Sequence, residues 1–495
     1  MGWLAAQQTT ACVGLPRANL LRRVVYSRPA TPPARPGTGT AWRPKTRSGS
    51  AGRSAKARPP PPRNVCHSHT LHEEGAGPLD VTALDSHTCG VGIGPLPGGE
   101  SSHARSFPPG FVWGTATAAH QVEGGNWNND WWAWEHAAGT PCREPSGDAC
   151  DHYHRYPEDL DLLAGFGFNA YRFSLEWSRI EPEDGEFSAA ALDHYRRMCD
   201  ACRARGLEPI VTFHHFTTPR WVAARGGWTE PSTAELFARF CGRAAARLGD
   251  LVGRVCTLNE PNILADVGHR WGLFPPGARD PGLRLRANEV LIAAHRQAVA
   301  AIRSGPGRAP IGLTLAMQDY QAVDGGEALR DRERRDMEDV FLEAVRGDDF
   351  LGVQTYTRTR IGPDGMRSPA PDARLTHMGW EFWPEALEAC IRRASAIAGV
   401  PVLVSENGVA VDDDRERMEY VERALRGVLA CLGDGLAVQG YVYWSLLDNF
   451  EWAFGYGPKF GLVAVDRTTQ VREPRPSARW LGAVARANAL SAVAS

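Results

Sequence analysis

Two glutamates in this chain close short apolar runs: Glu260 follows Val255–Asn259 (VCTLN) and Glu406 follows Val402–Ser405 (VLVS). A carboxyl placed just beyond a buried strand sits where desolvation and neighbouring charge can move its pKa. Two such groups can divide acid, base and nucleophile roles between them. Cleavage of a glycosidic bond needs that pair, one group to protonate the leaving oxygen and one to attack the anomeric carbon or activate water there. A single glutamate after a strand is more often an exposed cap or an ion-pair partner, because glutamate is mostly exposed. Two in matching contexts are harder to account for that way.

Positioning them is the task of the surrounding elements. From about Phe107 onward the chain alternates short β-rich runs with helical patterns, which predicts βα units around a parallel sheet. Strands are expected at Phe111–His120, Ala170–Trp177, Pro209–His215, Arg254–Asn259, Ile311–Met317, Leu351–Tyr356, Val402–Glu406 and Gly440–Ser445. Helices are expected at Pro157–Phe166, Ala191–Ala204, Thr233–Leu248, Ala287–Ile302, Arg334–Arg346, Pro384–Ala398, Arg415–Leu432 and Ser477–Ala489. Nearly every strand candidate runs into a polar or aromatic cluster at its C-terminal end, such as His120-Gln121, His214-His215, Asn259-Glu260, Tyr356 and Trp444. In a (β/α)8 barrel those ends converge on one face, where active sites sit. The expected fold is therefore α/β, a TIM barrel forming one catalytic domain over residues 107–490.

Five segments in order carry a family resemblance: Phe111–Glu123 (FVWGTATAAHQVE), Tyr171–Arg179 (YRFSLEWSR), Thr257–Pro261 (TLNEP), Ser405–Gly408 (SENG) and Tyr443–Trp452 (YWSLLDNFEW). With these the chain resembles glycoside hydrolase family 1, the β-glucosidase family of retaining (β/α)8 barrels. The HHFTTP of His214–Pro219 and the GPKFG of Gly457–Gly461 are most similar to the shorter archaeal and bacterial β-glucosidases. The resemblance implies that Glu260 is the acid/base, Glu406 the nucleophile, and Asn259 a partner of the sugar 2-hydroxyl. It places Arg172 and Tyr356 beside the nucleophile. Gln121, His215, Glu451 and Trp452 become the hydroxyl-binding set, and Trp444 the platform beneath the ring. A carboxylate at Glu451 would repel a phosphate dianion, so the implied substrate is a non-phosphorylated β-glycoside. Two positions depart from the family pattern: Phe216 stands where Trp is usual and Gln354 where Asn is common. The stretches between Gly272 and Asn288 and between Met317 and Asp349 are shorter than typical.

The bulk numbers agree with a small neutral substrate. Net charge is -2 over 495 residues with 23% charged, which offers no basic field for nucleic acid. No run of about 18 apolar residues exists to span a membrane. The 16 tryptophans suit stacking on sugar faces as well as packing a core. Eleven cysteines without a repeating framework point to a reducing compartment, with the cytoplasm as the expected location. Cys199 and Cys202 form a CxxC within a helical pattern and read as buried thiols, with no second pair at metal-binding spacing. No cofactor and no metal is expected, since a carboxyl pair does the proton and covalent work unaided. Oligomeric state is not readable.

Residues 1–106 differ in kind. No Asp or Glu precedes Glu73, and Arg, Pro, Ser and Gly dominate, so a disordered extension is expected. Its Arg- and Ser-rich, acid-poor composition resembles an organelle transit peptide, while the four prolines Pro59–Pro62 argue against a targeting helix. A start assigned too far upstream would give the same composition.

Two other readings stand beside hydrolysis. A non-catalytic sugar-binding protein on this fold would lose one carboxylate. A transglycosylase would keep the whole site and transfer sugar to an alcohol.

Overall fold

The computed structural model describes residues 106–490. Within them eight parallel strands close into a barrel: β1 (Val112–Ala116), β2 (Ala170–Ser174), β3 (Glu208–His214), β4 (Arg254–Asn259), β5 (Ile311–Ala316), β6 (Phe350–Gln354), β7 (Val402–Asn407) and β8 (Val438–Trp444). Each pairs with its sequence neighbours, and β1 closes the ring against β8 through Val112–Gly440 to Ala116–Trp444. The expected TIM barrel is the observed fold.

Strands buried on both faces read as continuous apolar runs rather than alternating ones. β1, β2, β6 and β7 are buried at every position. The layer outside them consists of amphipathic helices, including His152–Phe166, Ala189–Ala204, Ser232–Leu248, Pro281–Arg303, Ala386–Ala398, Asp414–Gly433 and Pro476–Ala487. Several begin on side-chain caps that satisfy otherwise unpaired N–H groups. Asp280 accepts from Gly282 N at 2.7 Å ahead of Pro281, and Asp413 accepts from Arg415 N at 2.9 Å. Cys199 and Cys202 are both free thiols buried on the inner face of their helix.

The sequence reading and the structure part at strand ends. β1 stops at Ala116, and His120 and Gln121 lie instead on a helical turn, Ala119–Val122. Ser174 Oγ accepts from Ala119 N at 2.7 Å there, so a β2 side chain takes the place of the ladder. The helix expected at Arg334–Arg346 begins earlier, at Glu327, and passes through a π turn at Arg335–Asp339. A small sheet of Asp319–Ala322, Arg358–Gly362 and Gly365–Met366 stands above the barrel and was not foreseen. The extension expected over residues 1–106 lies, apart from Ser106, outside the described residues. Among the described residues no helix is long and apolar enough to cross a membrane.

Candidate active site

Glu406 is the penultimate residue of β7, and the backbone is irregular just before it. Val404 pairs with Val353, but the next pair is Glu406 with Gln354, so Ser405 is an extra residue in the ladder. Such bulges re-aim a side chain at the rim of a barrel. The carboxylate is then held from two sides: Arg172 Nη1 donates to Oε1, and Tyr356 OH donates to Oε2 at 2.5 Å. Arg172 is completely buried on β2, and its second nitrogen donates to Asn259 Oδ1 at 2.6 Å. Tyr356 is itself braced, since Tyr420 OH donates to its carbonyl at 2.7 Å.

Glu260 follows β4 and precedes the short helix Pro261–Ala265. Its φ of 44° is in the left-handed region, uncommon for a side chain of this size and typical of functional sites. The β4–β5 register also slips just before it, between Cys256 and Asn259. No side chain of the described residues donates a hydrogen bond to its carboxyl. Desolvation, followed by the nearby Glu406 charge, pushes its pKa well above the usual carboxylate range, with Arg172 opposing. Desolvation also raises Glu406, but there the Arg172 charge and the hydrogen bonds from Tyr356 and Arg172 work against it. Of the pair, Glu260 is the one that keeps its proton.

The two carboxyls line one cavity of about 720 Å³ together with His215, Tyr356, Trp444, Glu451 and Trp452. These side chains come from different strand ends and their loops, as a barrel mouth requires. His215 is buried, and desolvation pushes its pKa well below the ordinary histidine value, leaving a neutral ring. That ring stacks between Trp444 and Trp452, with centroids 5.8 and 6.0 Å away. Glu451 is raised to about 8, first by burial and then by the charge of Glu406.

Three of the predicted residues stand just behind that lining. Gln121 directs its amide nitrogen to Asn449 Oδ1 at 3.0 Å, Phe450 O at 2.9 Å and Glu451 Oε2 at 3.4 Å, leaving Oε1 without a partner. Arg172 touches Glu406 from below the cavity, and Asn259 is anchored through its oxygen. Gln354 lines the cavity, donating to Asn259 Oδ1 at 2.9 Å while its own oxygen is unpaired. The cavity also gathers residues the sequence did not single out: Ile263, Phe274, Met317, Trp380 and Phe460. Phe274 and Trp380 lie in loops with no periodic or motif signal, Ile263 is on the short helix after Glu260, Met317 ends the expected fifth strand, and Phe460 belongs to the GPKFG segment. Among the described residues no group of three or more His, Cys, Asp or Glu could hold a metal ion.

Comparison with known proteins bears on the family and the fold. The model of glycosyl hydrolase family 1 matches residues 103–360 and 343–490. The chain is 32% identical over 443 residues to β-glucosidase A of Thermotoga maritima, covering 78% of this chain and 99% of the relative. It is 33% identical over 445 residues to a bifunctional β-D-glucosidase/β-D-fucosidase of Bifidobacterium breve, covering 76% and 97%. Among solved structures, β-glycosidase BGL167 superposes with a TM-score of 0.74 at 50% identity over 79% of this chain and 99% of that one. With the barrel, the carboxyl pair and a family match over nearly all the described residues, the chain belongs to glycosyl hydrolase family 1 and is a glycosyl hydrolase.

Proposed function

We propose that this enzyme is a retaining, exo-acting β-glycosidase that hydrolyses terminal, non-phosphorylated β-D-glucosyl residues, with galactosyl and fucosyl residues as alternatives. Glu406 is the nucleophile and Glu260 the acid/base. The observation that carries the reading is the asymmetry of the pair. Glu406 is oriented by Arg172 and Tyr356, which favour its ionised form, whereas Glu260 has no such donors and holds a proton beside it.

The steps follow from that asymmetry. Glu260 gives its proton to the leaving oxygen as Glu406 attacks the anomeric carbon, forming a glycosyl ester. Esterification removes the negative charge that raised Glu260, so its pKa falls and it then takes a proton from the attacking water. Asn259 presents its free amide nitrogen to the 2-hydroxyl. His215, Gln121, Glu451 and Trp452 bind the remaining hydroxyls over the Trp444 ring. The names of the relatives, β-glucosidases and a β-glucosidase/β-fucosidase, support the glucosyl and fucosyl choices. The catalytic unit is residues 107–490. A reducing compartment such as the cytoplasm is supported by the free state of all eight cysteines among the described residues, seven of them buried.

A panel of aryl β-glycosides tests the reading, with the anomeric configuration of the first-formed sugar followed by proton NMR. β-Glucosides should be cleaved with initial release of β-glucose. Initial release of α-glucose would overturn the nucleophile assignment, and inactivity on every sugar would overturn the enzyme.

A further inference from the structure

Beyond the catalytic cavity lies a second, larger one of about 1370 Å³, and Thr357 and Trp380 line both. Of the two shared residues, Trp380 offers an aromatic face to both cavities. Two polar side chains near that junction are engaged through their oxygens. Thr357 Oγ1 donates to Glu381 O at 2.8 Å, and the Gln318 side-chain oxygen accepts from the Thr359 hydroxyl. A flat aromatic ring leaving the sugar site meets the Trp380 face on its way into the second cavity.

The second cavity differs in character, because four arginines line it: Arg270, Arg358, Arg360 and Arg367. Three carboxylates face them, and these do not pair them off. Glu381 is shared, reaching Arg358 Nε at 2.5 Å and Arg360 Nη2 at 3.1 Å. Arg270 is answered by Asp266 at 3.4 Å and Glu333 at 3.6 Å, while Asp364 is exposed at the rim with no ion pair among the described residues. Arg367 has its nearest carboxylate, Asp324, at 3.9 Å, beyond hydrogen-bond reach. Arg360 Nε is buried without any partner. A buried guanidinium N–H left unpaired is costly, and its planar fork matches a carboxylate.

Resting on the glycosidase reading above, we infer that the preferred aglycone is an extended aromatic group whose far end carries a carboxylate. The ring lies against Trp380, and the carboxylate is received by Arg360 and Arg367. The sugar end of the substrate is neutral and the leaving-group end anionic, so the two ends are read by different chemistry.

The test uses the full chain with three substrates: the β-glucoside of 4'-hydroxybiphenyl-4-carboxylate, that of the matching carboxamide, and 4-nitrophenyl β-glucoside. The carboxylate should be preferred over the carboxamide by about tenfold in kcat/KM, mostly through KM, as for one charge-assisted hydrogen bond. Added salt should reduce the preference. Arg367→Gln and Arg360→Gln should each narrow it while 4-nitrophenyl β-glucoside is hydrolysed as before, which also shows that the variants fold. Equal efficiency on carboxylate and carboxamide would overturn the groove alone, as would a preference that survives both substitutions. No turnover of any of the three would overturn the glycosidase reading, and this inference with it.

Discussion

Asn259 Oδ1 accepts from Arg172 at 2.6 Å, Gln354 at 2.9 Å and Thr314 at 3.2 Å, so the orientation of its amide is settled by three donors. Its nitrogen is consequently left without a partner in the site. The same guanidinium reaches Glu406, so one buried cation couples the proposed nucleophile to the proposed 2-hydroxyl contact. Removing the nucleophile's side chain should leave this frame standing. Glu406→Gly is expected to abolish hydrolysis of aryl β-glucosides, and azide or formate with an activated substrate should restore turnover. The small anion fills the vacated space and attacks from the same face. Absence of rescue, with substrate still bound, would count against Glu406.

Glu260 makes a different prediction because its role is protonic. Its pKa is raised, so activity that needs its protonated form should be present at low pH and lost as pH rises through that value. The opposite limb belongs to Glu406, which must be ionised. Glu260→Gln should lower kcat/KM for glycosides with poor leaving groups by about 10²- to 10⁴-fold. It should also remove the alkaline limb, as checked by pH profiles of wild type and variant. Substrates with acidic leaving groups, which need little protonation, should lose much less.

At the scale of elements, the two carboxyl-bearing strands are the ones whose register slips just before the site, after Val404 in β7 and after Cys256 in β4. Side chains alternate strictly along a regular strand, so a single extra residue changes which face a glutamate meets. Close backbone packing also matters where the ring closes. Gly440 on β8 faces β1, where an added Cβ would lie 2.4 Å from Val112 Cβ and 2.7 Å from Val112 O. Gly440→Ala should therefore push apart the strands that close the barrel and destabilise the fold by about 1–3 kcal/mol, the usual range for overpacking. Urea unfolding of the variant checks this, and an unchanged midpoint would contradict it.

For the molecule as a whole, burial of titratable groups sets a pH dependence of stability. Glu451 is raised to about 8 and Glu338 to about 7, both mainly by desolvation. Between the unfolded carboxyl value and these, the folded protein binds more protons than the unfolded chain, so stability falls as pH rises through that window. His194 and His214 are lowered to about 3, again first by desolvation, and act in the opposite sense. Their contribution grows from about pH 3 and levels off about one unit above the unfolded histidine value of about 6.5. Above about pH 6.5 the carboxyls outweigh what remains of it. The Tm should accordingly decline between pH 6.5 and 8, by the equivalent of about 1–2 kcal/mol for Glu451. Glu451→Gln should flatten that decline in a scanning calorimeter, and an equally steep decline in the variant would refute the assignment.

How much of this was legible beforehand differs by residue. The apolar runs that become barrel strands could be read directly, Arg254–Asn259 to the residue, because a strand buried on both faces has no alternative composition. Glu260 and Glu406 could be singled out because polar residues at strand ends are few and their type limits their chemistry. The turn carrying Gln121 could not, since a side chain 55 residues away, Ser174, ends β1 by taking the Ala119 N–H. Nor could Phe274 and Trp380 at the cavity, which local pattern leaves undistinguished from any loop. Sequence by itself determined the barrel and pointed to the proposed carboxyl pair, since these depend on residue type and local periodicity. Only the tertiary structure supplied the physical cause of the asymmetry between the two carboxyls and what lines the leaving-group side. Both depend on charges and surfaces brought together from positions far apart in the chain, and desolvation is a property of that assembly.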